Sequence, residues 1–146
     1  MEVLIKLASN IKNINLQIVG EIVLKKNEAE ILDANIEQLS RGEDADGAKF
    51  PEYANEDYFN TKRGEGLIEK AGNHYNFLLE GDFRKGFMAK YQNDNMIIDS
   101  TDSKREKLVE LVSGWEIFGI QDKNIEKLDL ADDYSEEILK QMMNGI

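Results

Sequence analysis

The stretch Gly86-Phe87-Met88-Ala89-Lys90-Tyr91-Gln92-Asn93-Asp94-Asn95-Met96-Ile97-Ile98-Asp99-Ser100 decides the fold class. Phe87, Ala89 and Tyr91 recur at every second position, the period of a strand that presents one face to a core. Gln92 to Asn95 is rich in Asn and Asp, which tolerate the left-handed backbone of tight turns, and Met96-Ile97-Ile98 resumes the apolar pattern beyond it. The spacing predicts a β-hairpin. Before it stand Phe77-Leu78-Leu79 and Glu80-Gly81-Asp82-Phe83. After it, residues 103–112 read as a helix through Leu108, Val109, Leu111 and Val112, with Ser100, Thr101 or Asp102 as the capping residue. Trp115-Glu116-Ile117-Phe118-Gly119-Ile120 forms a compact apolar knot. Asp122 can cap a short helix holding Ile125 and Leu128, and Ser135 opens a last helix that ends at Gly145.

Upstream of the hairpin the period changes. From Ile11 to Leu39 the apolar positions Ile11, Ile14, Ile18 and Ile22, then Ala29, Ile31, Leu32, Ile36 and Leu39, step mostly by three and four, which is helical. Leu16, Val19 and Val23 add a second apolar row, as expected of a helix packed on two sides or against another subunit. Gly20 and Lys25-Lys26 mark where this arm could divide, and Arg41-Gly42 is a stop signal. Residues 42–72 keep no period, carry the only proline, Pro51, and gather Phe50, Tyr53, Tyr58 and Phe59. Aromatic residues in an irregular segment pack on a core or on a partner, and these four are the expected interface. The reading is an α+β protein of one domain, 1–146: a long helical arm over about 11–41, an aromatic loop over about 42–72, then a hairpin with C-terminal helices over 77–146.

Composition narrows the function. Among 146 residues, 29 acidic side chains outweigh 18 basic ones, for a net charge of −11. Such a surface repels phosphate backbones, so sequence-specific nucleic-acid binding is not expected. The absence of cysteine removes disulfides and thiolate chemistry and suits a reducing compartment. Met1 to Ala8 lacks the cleavage pattern of a signal peptide, and no apolar run has the roughly 20 residues that cross a bilayer, so a soluble protein with no membrane partner is expected.

No constellation carries chemistry. Asp44-Ala45-Asp46-Gly47 has the look of a calcium loop, but setting Gly47 at the turn glycine places Gly42 and Tyr53 where the first carboxylate and the closing glutamate belong. An Asp-Gly turn accounts for it. His74 is the only histidine and has no nucleophile motif or zinc partner set beside it. Gly64-Glu65-Gly66 lacks the third glycine and preceding strand of a phosphate loop. The expectation is a protein with no catalytic, cofactor-binding or metal-binding residues, hence no enzyme.

The order of segments also resembles a known family. A helix ending in Glu37-Gln38-Leu39, the turn 42–47, and aromatic-basic Tyr53, Tyr58 and Lys62 come first. Leu79-Glu80-Gly81-Asp82-Phe83 then leads into the hairpin, and Ile117-Phe118-Gly119-Ile120 opens the last helices. The chain in this respect is similar to the tail-completion or virion-morphogenesis proteins of tailed bacteriophages, small neck components joining head to tail. Gly81 with Phe83, and Phe118 with Gly119, occupy the family's two short glycine motifs, Glu80 standing in place of its threonine. The resemblance implies a virion protein that forms a ring, a hexamer or dodecamer, between neighbouring connector and tail proteins. An acidic ring would also keep passing DNA from adhering to its wall. The other reading of the same charge is a small cytoplasmic regulator or inhibitor that docks on a basic partner or mimics DNA. Flanked by apolar side chains, at least one of Gly81 and Gly119 is expected to have a positive φ or a backbone too crowded for a Cβ.

Overall fold

The computed structural model describes residues 2–78, 82–93 and 95–146. It is an α+β chain, with helices on either side of one antiparallel hairpin. The order is α1 (Glu2–Asn13), α2 (Leu16–Lys26), α3 (Glu28–Ser40), α4 (Glu56–Gly64), α5 (Asp82–Lys85), β1 (Phe87–Gln92), β2 (Asn95–Ser100), α6 (Arg105–Leu111), α7 (Asp122–Ile125) and α8 (Leu130–Met142). The hairpin pairs Phe87 with Ser100 through Gln92 with Asn95, and Asn93 at φ +49° adopts the left-handed conformation this short connection demands.

The long N-terminal helix is corrected by the structure. Three helices of 12, 11 and 13 residues replace it, beginning before Ile11. The breaks fall at asparagines: Gly20 lies inside α2, whereas Lys25-Lys26 does close α2, directly before Asn27. Asn15 is extended, and its side chain accepts from Gln17 N and Ile18 N, restarting the helix as an N-cap does. Asn27 closes α2: its backbone N–H reaches Val23 O and Leu24 O, and its amide Nδ2 also donates to Val23 O. An asparagine side chain that competes for helix carbonyls favours ends over interiors. The aromatic segment also departs from expectation, since α4 sits within it behind Asn55, whose side chain accepts from Tyr58 N. Toward the C-terminus α6 has Lys104 as its N-cap, α7 begins at Asp122 with Gln121 as cap, and α8 starts at Leu130, earlier than Ser135. No helix among the described residues is long and apolar enough to cross a membrane.

The core gathers Leu39, Phe50, Phe77, Phe83, Phe87, Val112 and Ile117, with Ile36, Ile98 and Phe118 packed on it. Its aromatic rings run in a chain: Phe50 to Phe77 at 4.9 Å, Phe77 to Phe83 at 5.6 Å, Phe83 to Phe87 at 5.4 Å and Phe87 to Phe118 at 5.4 Å between centroids. Rings at such spacing contribute beyond the area they bury, by about 0.5–1.5 kcal/mol per pair.

Buried polar residues of α3 hold the apolar knot in place. Asn35 Nδ2 donates to Ile117 O while Asn35 Oδ1 accepts from Gly119 N, both at 2.9 Å or less. Gln38 donates to Gly119 O and accepts from Gln121 N. Asp44 Oδ1 accepts from the N–H groups of Asp46 and Ala48, closing the turn that resembled a calcium loop, and Asp44 Oδ2 accepts from Glu116 N. These side chains stand in for a missing β-partner and satisfy backbone groups of an irregular buried segment.

Candidate functional site

The helix α4 carries Tyr58, Phe59 and Lys62, and the spacings of three and four put them on one side. That side faces Tyr53, whose ring lies 5.5 Å from Tyr58, 6.2 Å from Phe59 and 4.5 Å from Tyr75. Lys62 is drawn inward among them until only 3% of its surface is exposed. Its Nζ donates to Tyr53 Oη at 2.6 Å and to Asn76 Oδ1 at 2.7 Å.

Asn76 is the hub behind the lysine. Its Oδ1 also accepts from Leu78 N, its Nδ2 donates to Leu67 O and to Glu69 Oε1, and its carbonyl accepts from the Arg84 guanidinium through Nε and Nη2. Arg84 in turn is paired with the Glu69 carboxylate at 2.6 Å. The chain must bend sharply to bring these groups together. Glu69 and Phe77 have φ of +50° and +60° without being glycine. For a bulky aromatic residue the left-handed region costs of order 1–3 kcal/mol, and such strain collects where geometry has been held for a purpose. Phe77 is held there by its packing between Phe50 and Phe83.

Electrostatics follow from the burial. Desolvation, joined by repulsion from Arg84 and only partly offset by Glu69, pulls the Lys62 ammonium down to about 8. Burial pushes the phenols of Tyr53 and Tyr58 above their ordinary range, so both stay protonated at neutral pH. Among the described residues no carboxylate lies within ion-pair distance of Lys62 Nζ, an uncommon state for a buried cation.

In front of this cluster opens a cavity of about 320 Å³. Tyr53, Tyr58, Lys62, Tyr75, Phe77 and Phe83 line it together with Leu78, Leu108 and Leu111. Asp82, Asp102 and Lys104 stand among the remaining residues of its wall. An apolar recess with few polar groups converging on it is the ordinary form of a small-ligand site. No group of three His, Cys, Asp or Glu side chains converges as metal ligands do among the described residues.

The residues expected to act from sequence are scattered by the fold. Phe50 is 1% exposed and belongs to the core, so in this fold it is no surface for a partner. Tyr53 and Phe59 are half-buried, and Tyr58 is exposed at the cavity mouth. Phe83 and Phe118 meet at 6.0 Å. Gly119 has φ +140°, and a Cβ built on it would stand 2.9 Å from Ala45 Cβ. Gly81 lies outside the described residues. His74 is part of the frame: its Nδ1 faces Phe50 O at 2.6 Å. Sequence reasoning placed Lys62 beside Tyr53 and Tyr58 but missed Asn76, Glu69 and Arg84. Their one signal is polar residues adjoining the aromatic run Tyr75 to Phe83.

No protein-family model, curated protein or solved structure matches this chain.

Proposed function

We propose that the protein is a structural subunit of a tailed-phage virion, a neck or tail-completion component that closes into a ring between head connector and tail. The observation that carries this reading is the state of α1. Its 12 residues bury no side chain, while Leu4 and Ile5 are 64% and 66% exposed. A lone helix of this length is marginal in water, and most helices owe their stability to a buried apolar face. Leu16, Ile18 and Ile22 of α2 are exposed as well, and α8, on which α1 and α2 both pack, adds Leu139, with Met143 as its exposed C-cap. So much unpartnered apolar surface on a chain of net charge −11 fits a subunit whose neighbours cover it. The order of the glycine motifs Gly81-Phe83 and Phe118-Gly119 supplies the phage context.

Mass spectrometry of purified virions, made by a phage whose genome encodes this chain, tests the reading. The chain is expected in the particles at a copy number that is a multiple of six. Its absence from mature particles overturns the proposal.

A further inference from the structure

We propose that the cavity in front of Lys62 is a binding site for a small apolar monocarboxylic acid, the carboxylate meeting the Lys62 ammonium and the hydrocarbon filling the aromatic recess. This goes beyond the structural role above and stands independently of it.

The polar end of the site is built and incomplete. An ammonium has three N–H donors, and Lys62 gives two of them, to Tyr53 Oη and Asn76 Oδ1. Among the described residues the third has no acceptor. Tyr53 accepts from the lysine, which leaves its own O–H to donate, and no acceptor for it occurs among the described residues. Two donors at one place, one of them charged and almost wholly buried, are complementary to a carboxylate, which only accepts. Among the described residues the cation is also without a carboxylate at ion-pair distance, Glu69 being engaged by Arg84. A bound anion would supply what the fold leaves out.

The rest of the cavity sets the remainder of the ligand. Tyr58, Tyr75, Phe77, Phe83, Leu108 and Leu111 present rings and aliphatic chains, so the body of the ligand is apolar. On the wall, among the described residues, the carboxylates of Asp82 and Asp102 outnumber the one further cation, Lys104, which disfavours a second negative charge and so phosphate and dicarboxylates. A volume of about 320 Å³ admits an aryl-alkyl or medium-chain acyl group.

The test titrates the full chain with 4-phenylbutyrate, 4-phenylbutanol and inorganic phosphate at pH 7, by calorimetry and by methyl NMR of the leucines. The acid is expected to bind at least tenfold tighter than the alcohol, with phosphate not binding and the shifts centred on Leu78, Leu108 and Leu111. Lys62→Met is expected to abolish the preference for the acid while keeping the alcohol's affinity. Raising the pH of the wild type from 7 to above 9 is expected to shrink the preference several-fold as Lys62 loses its proton. Burial holds Tyr53 and Tyr58 protonated above their ordinary range, the other charged groups about the site are Glu69, Arg84, Asp82, Asp102 and Lys104, and the pH series decides the matter even if the variant fails to fold. Equal affinity for acid and alcohol in the wild type overturns the assignment. So does binding of neither at millimolar concentration, phosphate binding as tight as the acid's, or a preference that survives in Lys62→Met or at high pH.

Discussion

Lys62 is the residue whose chemistry depends most on the fold. Its folded pKa, about 8, lies below the ordinary 10.5, so between those values the unfolded chain holds more protons than the folded one. Stability therefore rises with pH across that interval, the burial penalty being fully present below about pH 8. The phenols work in the opposite sense. Tyr53 and Tyr58 are held protonated by burial, so above their ordinary value of 10 the folded state loses ground. Urea midpoints are expected to climb from pH 8 toward 10 and then fall, with the climb absent in Lys62→Met. A wild-type profile flat over that interval contradicts the buried, charged lysine. Gly119 makes a second residue-scale case. At φ +140° and with Ala45 Cβ 2.9 Å from where a side chain would begin, Gly119→Ala incurs both backbone strain and overlap. A loss of about 2 kcal/mol or more is expected in denaturant unfolding. The conformational demand at Gly119 was legible, because a glycine between apolar neighbours in a compact knot usually serves a backbone need. The network that creates the demand was not. Asn35 and Gln38 read as the polar side of an amphipathic helix, and only the path of residues 116–121 turns them into buried partners for carbonyls and N–H groups.

Among the elements, the hairpin is the one most plainly written in sequence, since period-two alternation and an Asn-rich turn act locally. The helical arm is different. Its apolar period of three to four runs across both breaks, so periodicity alone joins α1, α2 and α3. The asparagines that divide them act through single hydrogen bonds that a periodicity count ignores. The helix α4 escaped for the converse reason: its sequence EDYFNTKRG holds two apolar-type residues, and its stability comes from Asn55, the acidic first turn and the inward anchoring of Lys62. These accounts make opposite forecasts for two neighbouring positions. Gly20 lies within α2 with nothing within 4 Å of a built Cβ, so Gly20→Ala is expected to stabilise by about 0.5–1 kcal/mol. Asn15→Ala removes the acceptor for Gln17 N and Ile18 N and is expected to cost about 1 kcal/mol, a shift of roughly 2–4 °C in melting temperature for a chain of this size. Thermal melts of the two variants against wild type check both signs. If Gly20→Ala destabilises the isolated chain, a break at that glycine is the better description after all.

At the scale of the whole molecule, two properties pull against each other. The net charge of −11 makes copies repel, while the uncovered apolar side chains of α1, α2 and α8 favour burial. Association through that surface should consequently strengthen as salt screens the charge. Going from about 0.1 M to about 1 M salt shortens the Debye length from about 10 Å to about 3 Å. The charge was legible in the composition, and the second apolar row Leu16, Val19 and Val23 hinted at a helix with two partners. In the fold Val19 and Val23 turn inward and are buried, whereas Leu16, Ile18 and Ile22 are left outside. Which row goes inside depends on where α3 and α8 come to rest, and that is long-range information a local period does not contain. Sedimentation velocity of the purified full chain, at low and high salt, tests the claim of assembly most directly. The predicted result is a closed oligomer of several 16.7 kDa subunits, favoured by salt, that falls apart to folded monomer when Leu4 and Ile18 are both changed to Glu. A wild-type chain that remains monomeric at micromolar to millimolar concentration in both salts, or an oligomer indifferent to Leu4→Glu with Ile18→Glu, contradicts it.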